Sequence, residues 1–133
     1  MSRVMMDTSA YSALNRQNLA IHEAIASVTE IYFSPVTLGE LLAGFRGGTK
    51  RSYNERELQA FIDLQRVTVA SITAVTADRY AEIAEYLRIE GRPIPTNDIW
   101  IAASAMEHGL RVLTTDVHFG LIPHVISDVL PVA

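Results

Sequence analysis

Four acidic residues fall where their carboxylates can converge. Asp7 follows the short apolar run Val4-Met5-Met6, and Glu40 lies in SPVTLGELLAG just after Ile31-Tyr32-Phe33. Asp98 sits in IPTNDIWIAASAMEHG, and Asp116 follows Arg111-Val-Leu-Thr114. Taken singly, each has an ordinary explanation. Asp7 and Asp116 suit helix N-caps, Glu40 suits the far member of a capping box begun by Thr37, and Asp98 suits the positive end of a helix. Taken together, four converging carboxylates repel one another, and a hard divalent cation in an all-oxygen shell relieves that repulsion. Such a shell fits Mg²⁺, or alternatively Mn²⁺, and not zinc. A cation held there also meets phosphate oxygens directly, which lets an acidic protein engage a polyanion at one point.

The elements that must position these acids alternate in type. Val4–Met6 reads as a first strand, and residues 9–28 as a helix with Leu14, Ala20, Ile21, Ala24, Ile25 and Val28 at helical spacing. Ile31–Phe33 reads as a second strand ending before Pro35, followed by a helix from Thr37 through Phe45 that stops at Gly47-Gly48. A helix over 53–65, a strand over 67–72 and a helix over 77–90 come next, the last closed by Gly91. Thr96 or Asn97 caps a helix over 99–107, 111–114 is a strand, 116–120 a turn or short helix, and Val125-Ile126 a last strand. Strands alternating with helices imply right-handed crossovers, hence an α/β fold of three α/β/α layers around a small, mainly parallel sheet. Ligands of such sheets sit beyond the carboxyl ends of the strands, where all four acids fall in this reading.

Composition bounds the remaining classes. The 133 residues, 49% hydrophobic and 20% charged, suit one globular domain spanning 1–133. The longest stretch without Asp, Glu, Lys or Arg is eleven residues, short of the ~18 that span a bilayer. The first residues lack the features of a signal peptide, and the absence of cysteine excludes disulfides, thiol nucleophiles and Cys-ligated zinc. A cytoplasmic location is the expectation. A net charge of −4, with one Lys and ten Arg, supplies no global field for nucleic acid.

With the motifs in hand, the sequence resembles the PIN-domain ribonucleases. VMMDTSA is similar to their first motif, SPVTLGELLAG to the second, NDIWIAA to the third and VLTTDVHF to the fourth. Within that family a chain of this length most resembles the VapC toxins of toxin–antitoxin pairs. The resemblance implies a metal-dependent endoribonuclease in which Asp7, Glu40, Asp98 and Asp116 form the metal site, with Asp7 and Asp98 as its closest ligands. Ser9, Asn97 and Thr114 would support those acids, and Asp116 or Glu40 would take the proton of the attacking water. The partners it implies are an RNA, such as a tRNA or ribosomal RNA loop, a VapB-type antitoxin and a second copy of the chain.

Other residues carry less. Arg46, Lys50, Arg51 and Arg56 form the densest basic segment, equally readable as an RNA-tracking patch or a solvated face. Tyr53 is expected to pack its helix, Trp100 to pack in the core or an interface, and His118 and His124 to have surface or packing roles. Asp63, Asp78 and Asp128 read as solvated or capping. Two rivals stand beside the nuclease: a PIN scaffold that binds RNA or a protein without cutting, and a small phosphohydrolase or receiver-like domain. The second is weakened because the only Lys, Lys50, lies in a loop and no D-x-D follows the first strand.

Overall fold

The computed structural model describes residues 2–132. Its sheet holds β1 (Ser2–Met6), β2 (Val28–Phe33), β3 (Val67–Val69), β4 (Arg111–Thr114) and β5 (Ser127–Val129). They run in the order β3-β2-β1-β4-β5, and every neighbouring pair is parallel. The helices are α1 (Thr8–Asn15), α2 (Leu19–Ala26), α3 (Pro35–Arg46), α4 (Arg51–Ile62), α5 (Ala74–Glu90) and α6 (Thr96–His108), with a 3-10 turn over Val117–Leu121.

Strand alternation divides the core. Val4, Met6, Ile31, Phe33 and Leu113 face the layer built by α1, α2 and α4, where Tyr11, Ile21, Ile25 and Leu58 are buried. Met5 and Val112 face the opposite layer, packed against Ile83 and Leu87 of α5 and Ile101, Ala102 and Ala105 of α6. The expected three-layer α/β/α architecture is the one observed, and its sheet is parallel throughout the described residues. Because β2 and β3 extend to one side of β1 while β4 and β5 extend to the other, the chain reverses direction between β1 and β4. The C-terminal ends of those two strands flank the crevice where open α/β sheets bind ligands.

Several element boundaries differ from the expectation. The helix expected over 9–28 is two helices: Gln17 takes a left-handed φ of 60°, Asn18 caps α2 at Ile21 N, and Val28 already belongs to β2. Their apolar spacing is continuous, so periodicity alone hides the break. The helix expected to open at Thr37 begins at Pro35 under a Ser34 cap, with Ser34 Oγ accepting from Val36 N at 3.1 Å. Thr37 is buried inside α3 and caps nothing, so Glu40 lies in the second turn and belongs to no capping box. Neither Thr96 nor Asn97 caps α6, whose N-cap is Pro95. Helix α5 starts at Ala74 on a reciprocal Thr73–Thr76 box, and α4 spans 51–62 where 53–65 was expected. The third strand stops at Val69, and the last strand is 127–129, displaced from 125–126 because Ser127, Asp128 and Val129 pair with Val112, Leu113 and Thr114. Asp128 is neither free nor capping: it takes two hydrogen bonds from Arg111, at 2.6 and 2.8 Å.

Candidate active site

Asp7 is fixed by its place at the end of β1. Its backbone N–H donates to Leu113 O on β4 (3.2 Å), continuing the ladder one residue past the strand. Its side chain then caps α1, Oδ1 accepting from Ala10 N at 2.8 Å. Ser9 Oγ lies 2.8 and 2.9 Å from the two carboxylate oxygens, and Thr114 Oγ1 donates to Oδ2 at 2.6 Å. Only 3% of Asp7 is exposed. Burial pushes its carboxyl above the usual range, the hydrogen bonds from Thr114, Ala10 and Ser9 pull it back, and the Asp116 charge raises it again.

Thr114 ties this acid to the next. Its hydroxyl, wholly buried, accepts from Asp116 N at 2.8 Å while donating to Asp7, and Ser9 Oγ accepts from Thr115 N at 3.0 Å. Asp116 caps the 3-10 turn, its Oδ1 accepting from His118 N (2.9 Å) and lying 2.8 Å from His118 Nδ1. Glu40 approaches from α3, on the far side. Thr8 Oγ1 donates to its Oε1 at 2.5 Å and Asn97 Nδ2 to its Oε2 at 3.2 Å.

Asp98, in the first turn of α6, is half-buried and receives no side-chain hydrogen bond among the described residues. Its carboxyl is pushed up to about 6, first by burial and then by the charges of Asp116, Asp7 and Glu40, with His118 opposing. The fold therefore brings all four acids to one place, at the crevice between β1 and β4. Among the described residues, no three Asp, Glu or His side chains close to the spacing of ligands around an ion, although Asp98 lies within reach of the charges of the other three acids. The donor set is nonetheless that of a hard cation: carboxylate oxygens, mutually repelling, opposed at Asp98 by His118 alone.

The supporting residues fall into two groups. Ser9 and Thr114 touch Asp7, and Asn97 touches Glu40. Two contacts escaped the sequence reading. Thr8 reaches Glu40 across 32 positions of sequence, and His118 turns back onto Asp116. The second was legible in principle, since a residue two beyond an N-cap Asp lies beside its carboxylate; the first is a tertiary contact without a local signal. Arg46, Lys50, Arg51 and Arg56 are exposed around the α3–α4 loop, Arg51 pairing with Glu55 at 3.3 Å, and none bonds to the acids. Tyr53 does not pack its helix: it is 55% exposed. Trp100 is half-buried and stacks on Tyr80 at 4.2 Å between ring centres, and His124 packs edge-on against Tyr86. Among the described residues, no helix is long and apolar enough to cross a membrane.

Comparison with known proteins places this geometry. The PIN domain family model matches residues 4–124. The chain is 34% identical over 92 residues to Ribonuclease VapC4 of Mycobacterium tuberculosis, covering 69% of this chain and 71% of that one. It is 29% identical over 107 residues to Ribonuclease VapC2 of Rickettsia felis, covering 80% and 78%. In three dimensions it is similar to a chain of the DNA-bound VapBC structure from Salmonella typhimurium, with a TM-score of 0.84, 26% identity and coverage of 96% and 98%. The match of the family model across most of the chain and the likeness to VapC4 show that the chain belongs to the PIN-domain family, among its VapC-type ribonucleases.

Proposed function

We propose that this chain is the toxin of a toxin–antitoxin pair, an endoribonuclease that hydrolyses RNA phosphodiester bonds at the crevice between β1 and β4 with a divalent metal, Mg²⁺ or alternatively Mn²⁺. The observation that carries the reading is Asp98: a half-buried carboxylate without a side-chain donor, raised to about 6 first by burial and then by the charges of three other acids, is a group that binding of a cation would stabilise. Asp7 and Asp98 would hold the metal most directly, with Glu40 and Asp116 as the further acids available to it. A bound cation supplies charge neutralisation at the scissile phosphate and acidifies the attacking water. Ser9, Thr114 and the Ala10 N–H keep Asp7 oriented, and Asn97 restrains Glu40. Asp116 accepts the water's proton through Oδ2, since its Oδ1 is engaged by His118.

The substrate is an RNA such as a tRNA or ribosomal RNA loop, and Arg46, Lys50 and Arg51 are the basic groups available to follow its backbone. The Salmonella relative is a VapBC complex, and VapBC2 of Rickettsia felis, similar at a TM-score of 0.84 and 24% identity, is another. That likeness supports a VapB-type antitoxin as a partner of this chain, and a homodimer is proposed as its assembly. The test is cleavage of total RNA by antitoxin-free protein with Mg²⁺ or Mn²⁺, with EDTA, and with Asp98→Asn, followed by end mapping. Discrete fragments that require metal and vanish in the variant establish the nuclease. No cleavage by folded protein with metal demonstrably bound refutes it and leaves the non-cutting scaffold.

A further inference from the structure

Three of the four acids are set by the backbone beside them, because Asp7 directly follows β1, Asp116 follows β4 and Asp98 lies in the first turn of α6. Glu40 differs. It stands in the second turn of α3, half-buried, on the longest of the four side chains, and helix geometry alone does not place its carboxylate. Its two oxygens are held by two donors: Thr8 Oγ1 on Oε1 at 2.5 Å and Asn97 Nδ2 on Oε2 at 3.2 Å. Thr8 is the chain neighbour of Asp7, and Asn97 of Asp98. Each ties Glu40 to the backbone that carries another acid of the crevice. The Thr8 bond is the shorter, and hydroxyl–carboxylate bonds of this length are strong ones. Helix α1 does not require that hydroxyl, because Asp7 already caps it at Ala10 N.

We propose that Thr8 is a positioning residue: its hydroxyl fixes the Glu40 carboxylate relative to Asp7 and Asp98, and so sets how well the crevice holds a divalent cation. The inference rests on Glu40 belonging to the metal-holding ring, and its test separates the two claims. Thr8→Val removes the hydroxyl at nearly constant shape, and Thr8→Ala does so without a β-branch should valine disturb the helix start. Thr8→Ser retains the hydroxyl. For these variants, Glu40→Gln and the Thr8→Val/Glu40→Gln double variant, RNA cleavage, Mn²⁺ affinity by calorimetry and thermal midpoint are measured.

Loss of the hydroxyl is expected to lower kcat and Mn²⁺ affinity by about 10–100-fold, the usual cost of removing a group that orients a metal ligand, with little change in midpoint. Serine restores both. In the Glu40→Gln background the Thr8 change adds less than about threefold, because its effect runs through the same carboxylate. Wild-type kcat and Mn²⁺ affinity without the hydroxyl overturn the proposal, as does a full additional loss in the double variant. Should Glu40→Gln itself leave cleavage and Mn²⁺ affinity intact, the reading of Glu40 falls and takes the proposal with it. If Glu40→Gln is impaired and Thr8→Val is not, only the role of Thr8 falls.

Discussion

Asp98→Asn should stabilise the metal-free fold while removing its capacity for a cation. The native environment raises the Asp98 carboxyl from its usual 3.8 to about 6, by burial and by the charges of Asp116, Asp7 and Glu40. A folded state with the higher pKa binds the proton more tightly than the unfolded chain, so stability falls as pH rises between those two values. The cost is absent below about pH 4 and complete above about pH 6. A shift of that size corresponds to at most about 3 kcal/mol. Asp98 is half-buried, and solvent screening discounts the figure to roughly 1–1.5 kcal/mol. For a chain of this length that predicts a rise in melting temperature of about 3–6 °C in the variant at pH 7.5. Circular dichroism melts in EDTA measure it, repeated near pH 4, where the two proteins should converge. Mg²⁺ or Mn²⁺ at 100 times its Kd should then raise the wild-type stability by about 2.7 kcal/mol and the variant's far less. A variant that melts at or below wild type in EDTA at pH 7.5, or whose advantage persists near pH 4, refutes the idea that repulsion at Asp98 is what the cation relieves.

Thr114→Val removes a buried hydroxyl that donates to Asp7 and accepts from Asp116 N, and should cost about 2 kcal/mol in denaturant titrations at pH 7. Because that donor lowers the Asp7 pKa, the loss should shrink as pH falls and Asp7 protonates; an equal loss at both pH values contradicts the coupling. Gln17→Gly relieves a left-handed φ of 60° and should gain about 0.5 kcal/mol net of the added freedom of the unfolded chain, read as a higher urea midpoint. Asp128→Asn should cost about 0.5–1 kcal/mol, because the Arg111 pair it breaks is partly exposed. Arg111 holds the Asp128 carboxyl below its usual 3.8, so this contribution is present above that pH and is lost as pH falls through the lowered value; a cost that survives at pH 2 points to packing instead.

The layers, the strand order of acids and the crevice were legible because they follow from rules that act locally. The strand segments Val4-Met5-Met6 and Arg111–Thr114 are followed within two residues by Asp7 and Asp116, and parallel strands put those ends on one side of the sheet. What failed has causes of another kind. The break at Gln17 interrupts no apolar spacing, and only Asn18, a good N-cap, marks it. Thr37 and Glu40 have the form of a capping box, yet Ser34-Pro35 is the stronger start signal, since Pro at the first helical position lacks the N–H a cap would satisfy. Strand β5 is polar and short, and its place is decided by pairing with β4, which no window of sequence contains. Thr8 and Glu40 meet for the same reason: their bond depends on the packing of α1 beside α3, a tertiary contact that no window of sequence contains.

For Asp7 and Asp116 the ordinary reading and the proposed functional one are compatible. Asp7 is a helix cap, and the Ala10 N–H that it satisfies is one of the bonds that orient it toward the crevice. Asp116 is likewise the cap of the 3-10 turn, its Oδ1 spent on His118 N while Oδ2 remains available. Capping thus gives two short carboxylates a fixed direction without consuming all their lone pairs. Asp98 and Glu40 cap nothing. Glu40 is held instead by Thr8 and Asn97, which leaves Asp98 as the acid whose charge the protein compensates least. Burying that charge beside three others is unfavourable, and a bound cation would offset the cost. On the proposed reading, the group that weakens the fold without a cation is the one whose charge a divalent metal would relieve, and the stability of Asp98→Asn and its metal response should move in opposite directions.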